Sequence, residues 1–232
     1  MKFKKLYSAV YHDNCTPFNQ LLEDQRKIEC VIDPDDLDPT ADGCLIIWGG
    51  ADINPEYYRH PMHSTTRPGG MRDRVEWALI QRAIEIGMPI IGVCRGAQMA
   101  CAAAGGFLLQ NVRHHGGHHF VHTLDNEVFT VNSLHHQMMA GLEGVDHELV
   151  AWRQGNEGAP YGYRDDQIYT PPEGFKEAEF VYFPKINCYA IQWHPEMMQE
   201  DCVATKYVLN YITKKEKDRT DGYAAKTLIC DC

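Results

Sequence analysis

Two short stretches of this sequence together carry the residues of a complete nucleophilic catalyst. The first is PIIGVCRGAQ at 89–98, in which an apolar run ends at Cys94 and small residues follow. The second is IQWHPEM at 191–197, in which Glu196 follows His194 by two positions. A cysteine nucleophile needs a base, and that base needs an acceptor that orients it, so these three residues predict a Cys–His–Glu relay. Each motif alone has a plainer explanation, a cysteine buried in a strand and a surface His-Pro-Glu turn, but the two motifs together are far more specific.

The residues around Cys94 favour an exposed, activated thiol at a sharp corner. The apolar run predicts a buried strand that ends at Cys94, and a helix is expected to begin immediately afterwards. The positive end of a helix stabilises a thiolate, and the backbone N–H of Arg95 can stabilise an oxyanion. Gly92 and Gly96 permit the tight turn that such a corner requires.

The elements that must position these residues alternate between strands and helices up to about residue 123. Apolar runs and turn signals predict strands at 5–12, 28–33, 44–50 and 88–94, with helices at 17–27, 72–87 and 95–106 between them. Beyond that point the pattern predicts strands at 126–131, 147–153, 177–183 and 188–194, followed by a last helix at 200–215. Strands that alternate with helices of this length predict an α/β fold: a three-layer arrangement in which a mostly parallel central sheet has helices on both faces, with a strand-rich C-terminal part.

The chain is interpreted as one domain over 1–215 with a tail at 216–232, because we find no repeat and no linker. Residues 154–174 are rich in Gly, Pro and Tyr and lack periodicity. An irregular segment of that length in a compact domain is more often functional than idle, so a loop with a role in function is expected there. The tail is polar up to Leu228, and we expect it to be partly disordered.

Composition excludes several classes of function. The 232 residues carry a formal net charge of −10, which argues against binding to nucleic acid or to an anionic membrane surface. The N-terminus lacks the apolar region of a signal peptide, and no apolar run has the roughly 20 residues that span a bilayer. The nine cysteines include no Cys-x-x-Cys pair, which favours reduced thiols. A soluble, cytoplasmic protein is therefore expected.

Two further stretches invite a metal interpretation. The run RHHGGHHFVH at 113–122 packs five histidines into ten residues, but its glycines and adjacent pairs point side chains apart, and the run contains no Asp, Glu or Cys. A polar loop near the mouth of the pocket, with His122 helping to line it, is the preferred interpretation. The terminal CDC at 230–232 is interpreted as a tail rather than a metal site. The sequence therefore predicts no metal and no cofactor.

The motifs, taken in order, resemble the class I glutamine amidotransferase domains. GVCRGAQ followed about a hundred residues later by QWHPE carries that resemblance. WGGADINPEYY at 48–58, VNSLHHQ at 131–137 and KEAEFV at 176–181 are similar to the γ-glutamyl-γ-aminobutyrate hydrolase and γ-glutamyl hydrolase branch, grouped with the C26 peptidases. The resemblance covers about residues 44–213 and implies a flavodoxin-like core. The short N-terminal part and residues 154–174 depart from the branch, and this leaves the choice of substrate open.

The resemblance implies roles for individual residues. Cys94 would be the nucleophile, His194 the general acid and base, and Glu196 the residue that orients it. The oxyanion and substrate-binding residues implied in the same way are Gly49, Gly50, Arg95, Gln98, Ser133 and His135. The Gly49–Gly50 turn would supply one oxyanion donor and the N–H of Arg95 the other, while Gln98 would hold the glutamyl end of the substrate.

The resulting hypothesis is a stand-alone thiol amidohydrolase that cleaves a small γ-glutamyl amine, or glutamine, through a γ-glutamyl thioester on Cys94. The absence of a GxxxxGK[ST] phosphate loop from the sequence favours an enzyme acting alone. One alternative is a glutaminase subunit that delivers ammonia to a separate synthetase subunit. The second alternative is a catalytically silent binding module that keeps the fold.

Overall fold

The computed structural model describes residues 2–10, 16–23, 28–155, 161–164 and 167–230, with side chains described up to residue 221. Thirteen strands and four α-helices occur in this part of the chain. The strands are β1 Lys5–Ser8, β2 Ile28–Cys30, β3 Gly43–Ile47, β4 Ile90–Val93, β5 Phe107–Leu109, β6 Gly116–Thr123, β7 Val128–Leu134, β8 Met138–Ala140, β9 Glu148–Gln154, β10 Tyr161–Arg164, β11 Gln167–Tyr169, β12 Lys176–Phe183 and β13 Cys188–Ile191. The helices are α1 Thr16–Asn19, α2 Met71–Glu85, α3 Arg95–Ala104 and α4 Val203–Cys230.

Nine strands form one central sheet in the order β2-β1-β3-β4-β13-β12-β9-β6-β7. The half from β2 to β13 is parallel, and the half from β12 to β7 is antiparallel. The pairs β5–β8 and β10–β11 form two small separate sheets. The parallel half is the part in which the sequence alternates strands with helices, as expected for crossover connections.

Helices cover both faces of the sheet, which confirms the predicted three-layer α/β architecture. One apolar layer joins α1 and α4 to the sheet through residues such as Leu6, Ile46 and Val208. The other layer joins α2 and α3 to the opposite face through residues such as Ile47 and Leu79. Adjacent strand residues such as Ile46 and Ile47 belong to different layers because successive side chains of a strand point to opposite faces.

The carboxyl ends of β3, β4 and β13 lie side by side, because these three strands are parallel neighbours in the sheet. Cys94 follows β4 directly, Gly49 follows β3 by two residues, and His194 follows β13 by three. The topology therefore brings together residues that are far apart in sequence, at the edge where open α/β sheets gather reactive groups.

Several predicted elements differ from the structure. The histidine-rich run at 113–122 was predicted to be a polar loop, but residues 116–123 form β6, which pairs with β7 from Gly116 to His122. The helix predicted over 17–27 is a single turn, α1, because residues 21–23 bond to the backbone of Phe3 instead. Residues 24–27 lie outside the described residues.

The C-terminal helix and the segment 154–174 also differ from expectation. The helix predicted over 200–215 continues as α4 to Cys230, and it crosses the predicted start of the tail at 216. Glu216 is buried there and accepts a 2.8 Å hydrogen bond from the hydroxyl of Tyr189. Within 154–174 the strands β10 and β11 pair as an antiparallel hairpin, while 156–160 and 165–166 lie outside the described residues, as does 231–232 of the terminal CDC.

None of the described helices has both the length and the apolar composition needed to cross a membrane.

Candidate active site

Cys94 occupies a strained corner between β4 and α3. Its backbone has φ 51° and ψ −105°, a conformation that residues with a side chain rarely adopt. The N–H of Cys94 donates to the carbonyl of Ile191 at 2.7 Å, and its carbonyl accepts from the N–H of Gln98 at 3.1 Å. These two bonds fix the corner to β13 on one side and to the first turn of α3 on the other. The predicted nucleophile therefore sits on a strand-to-helix elbow.

Backbone contacts at this elbow leave no room for side chains. A Cβ added to Gly92 would lie 2.5 Å from the carbonyl oxygen of Gly96. A Cβ added to Gly96 would lie 2.0 Å from the carbonyl oxygen of Ile47 in β3. The two glycines thus allow α3 to begin directly against β3 and β4, as predicted for the turn around Cys94.

His194 lies between Cys94 and Glu196. The Nδ1 atom of its ring is 2.7 Å from Oε1 of Glu196. The ring of His194 and Cβ of Cys94 both lie within 3.5 Å of one point, the position that a Cβ on Gly49 would take. Burial lowers the pKa of His194, but the hydrogen bonds and charges of Cys94 and Glu196 raise it to about 10. At neutral pH this favours a protonated imidazole, which can act as the proton donor beside the predicted nucleophile Cys94.

Asn132 holds the backbone of His194, and sequence analysis did not single it out. Its Oδ1 accepts from the N–H of His194 at 2.8 Å, and its Nδ2 donates to the carbonyl of His194 at 2.9 Å. Asn132 lies in β7, at the far edge of the sheet, so two distant parts of the chain meet at the base. Both groups are buried, and these bonds satisfy both main-chain polar groups of His194.

The glycine turn after β3 packs against the base. A Cβ on Gly49 would lie 2.6 Å from Cε1 of His194 and 3.5 Å from Cβ of Cys94. Gly50 has φ 151°, and a Cβ there would lie 2.3 Å from a guanidinium nitrogen of Arg72. Arg72 donates to the carbonyls of Gly49 and Trp48, each at 3.0 Å. The turn therefore directs its carbonyls towards Arg72 and lies directly beside Cys94 and His194.

Two buried acidic residues of α2 pair with Arg95. We call these residues, Asp73 and Glu76, the acidic anchor. The guanidinium of Arg95 donates to Oδ1 of Asp73 and to Oε2 of Glu76, and all three side chains are at most 2% exposed. Arg72 donates to the other oxygen of Glu76 at 2.9 Å. Two arginines thus face two carboxylates, and the cluster ties α2 to the start of α3 and to the glycine turn.

The other predicted binding residues have partners within the protein. Gln98 is buried and donates from Nε2 to the carbonyl of Gln137 at 2.9 Å. Ser133 donates from Oγ to the carbonyl of His115 at 2.8 Å. Gln98 lies one helical turn beyond Cys94, whereas Ser133 is held by the segment that leads into β6.

His135 lies close to both His194 and the histidine-rich segment. Its Nδ1 is 2.8 Å from the carbonyl of Gln137, and its ring centroid is 4.6 Å from that of His115. Burial, followed by the charges of His115, His119 and His194, holds the pKa of His135 well below its ordinary value. His135 is therefore neutral at pH 7 and can donate or accept a hydrogen bond without adding charge.

Sequence reasoning missed the acidic anchor and Asn132, which contact Arg95 and the backbone of His194. Asp73 and Glu76 lie in a segment that the sequence analysis used only as evidence for a helix. Their spacing of three residues places both on one helical face, and this was the available signal. Asn132 lies within the quoted VNSLHHQ stretch, but its residue type alone carries no indication of a distant partner.

Comparison with known proteins gives consistent matches. The model of the Peptidase C26 family matches residues 33–125. A candidate glutamine amidotransferase of Mycobacterium tuberculosis is 30% identical over 217 residues, which is 86% of this chain and 65% of that protein. A candidate glutamine amidotransferase-like protein, YvdE, of Lactococcus lactis is 29% identical over 180 residues, which is 67% of this chain and 66% of that protein. The chain thus spans just under two thirds of the length of these relatives.

A similar fold occurs in the crystal structure of a candidate GMP synthase subunit from Thermoplasma acidophilum. The two structures superpose with a TM-score of 0.60 over 95% of this chain and 99% of that one, at 18% sequence identity. This likeness supports the architecture, including the central sheet and its two helical layers.

Proposed function

This chain belongs to the class I glutamine amidotransferase-like family, in the peptidase C26 group, and from that premise we propose that it is a thiol amidohydrolase. The bond cleaved is the γ-glutamyl amide of a small γ-glutamyl amine or of glutamine. The observation that carries the proposal is the grouping of Cys94, His194 and Glu196 at the carboxyl edge of the sheet: Nδ1 of His194 lies 2.7 Å from Oε1 of Glu196, and its ring and Cys94 pack against the same side of Gly49.

In the first half of the reaction the Cys94 thiolate attacks the γ-carbonyl carbon, and the carbonyl oxygen becomes an oxyanion. The backbone donors proposed for it are those of the Gly49–Gly50 turn and of Arg95. The intermediate collapses as the C–N bond breaks, and the imidazolium of His194 gives its proton to the departing amine. A γ-glutamyl thioester on Cys94 remains.

In the second half, water attacks the thioester while neutral His194 accepts a proton from it. The C–S bond then breaks, which releases glutamate and restores the thiolate and the imidazolium. Glu196 keeps Nδ1 of His194 protonated and oriented throughout, and Asn132 fixes the backbone of the base. Gln98, Ser133 and His135 are proposed to hold the glutamyl end of the substrate.

A test of this function uses purified protein with glutamine and a panel of γ-glutamyl amines, with release of glutamate as the readout. We expect release from at least one compound, and its abolition in Cys94→Ser. A His194→Asn variant should lose at least about 100-fold in rate. A folded His194→Asn variant with near-normal turnover would contradict the proposed relay.

The second candidate is a glutaminase subunit that passes ammonia to a separate synthetase subunit. It is favoured by the names of the relatives, which describe glutamine amidotransferases. Under this alternative the protein alone releases little glutamate from any substrate, yet an alkylating glutamine analogue still labels Cys94. Absence of both turnover and labelling in folded protein would instead indicate a catalytically silent module.

A further inference from the structure

A second group of chemically competent side chains lies on the antiparallel half of the sheet, next to the relay. His115, His119 and Glu179 each offer a ligand atom, and these atoms all lie within 4.8 Å of one another. His119 is in β6, Glu179 is in β12, and His115 immediately precedes β6. We define these three residues as the His–His–Glu cluster.

The three side chains are buried, yet several of their polar atoms have no hydrogen bond. The side chain of His115 is fully buried, that of His119 is 9% exposed, and that of Glu179 is 1% exposed. Within the described part of the chain, no hydrogen-bond partner exists for Nδ1 of His115, either ring nitrogen of His119, or Oε2 of Glu179. Buried polar atoms without partners are costly, so this concentration of them calls for an explanation.

The contact between His119 and Glu179 is close but is not a well-formed hydrogen bond. Nε2 of His119 lies 2.9 Å from Oε1 of Glu179, while the same nitrogen lacks a hydrogen bond of acceptable geometry among the described residues. Two ligand atoms of one tetrahedral zinc ion, each about 2.0–2.1 Å from it, are separated by about 3.3 Å. The observed 2.9 Å is about 0.4 Å shorter, so the two groups need to move only slightly apart to share one ion.

A second carboxylate supports the cluster from behind. Oε2 of Glu177 lies 3.3 Å from Nε2 of His115 and 3.6 Å from Nε of Arg153, and Tyr161 donates to the other oxygen. Glu177 and Arg153 thus surround Nε2 of His115, with Nη1 of Arg153 3.4 Å from it, and leave Nδ1 as the ring nitrogen of His115 that has no hydrogen bond among the described residues.

We propose that His115, His119 and Glu179 form a binding site for a divalent transition metal ion of the zinc class. Two imidazoles and one carboxylate are a ligand set that zinc accepts, with a further position left for water or another ligand. The ion joins β6 to β12 across the end of β9, which lies between them. This proposal does not depend on the proposed hydrolysis.

The experiment uses untagged full-length protein in a Cys94→Ser background, because a polyhistidine tag and the active-site thiol both bind zinc. The protein is stripped with chelator, titrated with Zn²⁺ and with Co²⁺, and freed of excess ion before metal analysis. We expect one bound ion per chain, and the Co²⁺ form should show visible bands of low-symmetry coordination. It should lack the near-ultraviolet charge-transfer band that thiolate ligands give.

Variants of neighbouring residues locate the site. His119→Ala and Glu179→Gln should each lower the affinity for Zn²⁺ at least about tenfold. His118→Ala, which changes the adjacent exposed histidine of the same strand, should leave it unchanged. Zinc should also raise the melting temperature of the parent protein and of His118→Ala, but not that of the two ligand variants.

Three results would overturn the proposal: no stoichiometric ion in the parent protein, a thiolate band in the Co²⁺ form, or equal affinity in His118→Ala and Glu179→Gln. If both ligand variants fail to fold, X-ray absorption of the zinc-loaded parent decides between nitrogen and oxygen ligands, which support the site, and sulfur, which refutes it. Absence of any ion would mean that the cluster consists of directly paired buried histidines and glutamates.

Discussion

Glu76→Gln tests whether the acidic anchor stabilises the structure around the nucleophile. The substitution preserves size but removes one of two carboxylates that face the guanidinium groups of Arg72 and Arg95. The cluster then changes from neutral to one net positive charge, and Arg95 is only 1% exposed, so water cannot compensate. Breaking a buried ion pair costs about 3–5 kcal/mol. Because Asp73 still pairs with Arg95 in this variant, we expect the free energy of unfolding to fall by the lower value, about 3 kcal/mol.

Equilibrium unfolding in urea measures this loss. With a urea dependence of about 3 kcal/mol/M, at the upper end for small proteins, the midpoint should fall by about 1 M. The matched control is Glu85→Gln, the same change in the same helix. Glu85 is 67% exposed in its ion pair with Arg82, so a cost below about 1 kcal/mol is expected.

A second measurement, the rate at which Cys94 is alkylated, tests whether the acidic anchor affects the reactivity of the thiol. Arg72 holds the carbonyls of the glycine turn and Arg95 begins the helix after Cys94, so Glu76→Gln should slow the alkylation of Cys94 in folded protein, whereas Glu85→Gln should not. The reasoning is refuted if the two variants lose the same stability, or if Glu76→Gln costs less than about 1 kcal/mol.

Three further predictions concern the base and its surroundings. Asn132→Ala should lower both activity and stability, because the N–H of His194 loses its buried partner, at about 1–3 kcal/mol, while the carbonyl of His194 keeps the hydrogen bond from the N–H of Met197; urea unfolding and glutamate release measure the two effects. Gly49→Ala should lower activity far more than stability, because the new Cβ would collide with the ring of His194, which can move aside but then leaves its place in the relay. The loss in the rate of glutamate release is compared with the change in melting temperature. The pKa of His194 is raised from its ordinary 6.5 to about 10, so its contribution to stability is full below about pH 6.5 and is lost as the pH rises through about 10. The stability difference between the parent protein and His194→Gln should therefore shrink over that range.

Each of these predictions has an outcome that contradicts it. Unchanged activity in Asn132→Ala would mean that the hydrogen bonds from Asn132 to the backbone of His194 are not needed for activity. A Gly49→Ala protein that unfolds would show that the ring cannot move aside. A stability difference that stays constant from pH 6.5 to 10 would show that His194 is not held in its protonated form.

The sequence identified the parts of the fold that rest on local apolar patterns. The run before Cys94 and the run before His194 are both buried strands, as predicted, because a fully buried parallel strand requires continuous apolar residues. The helix at 72–87 was similarly clear, and it is α2 at Met71–Glu85. The order of the two motifs then placed them at one edge of the sheet.

The rest depended on partners that are distant in sequence. Residues 116–123 contain two glycines, which are depleted in strands, and three histidines, and they form β6 because β7 pairs with residues 116–122. Buried acids such as Asp73 look like ordinary solvent-facing helix residues until Arg95 is brought against them. The sequence interpretation of the histidines found no carboxylate because Glu177 and Glu179 lie about sixty residues further along the chain.

The close approach of Gly92 and Gly96 restricts how this elbow can change in the course of evolution. The atoms that would collide with a new Cβ at either position belong to the main chain, namely the carbonyl groups of Gly96 and Ile47. Trimming a neighbouring side chain elsewhere therefore cannot restore the lost space. A suppressor screen that starts from alanine at either glycine should return revertants to glycine rather than compensating substitutions, whereas one that starts from a damaged side-chain contact has many possible solutions.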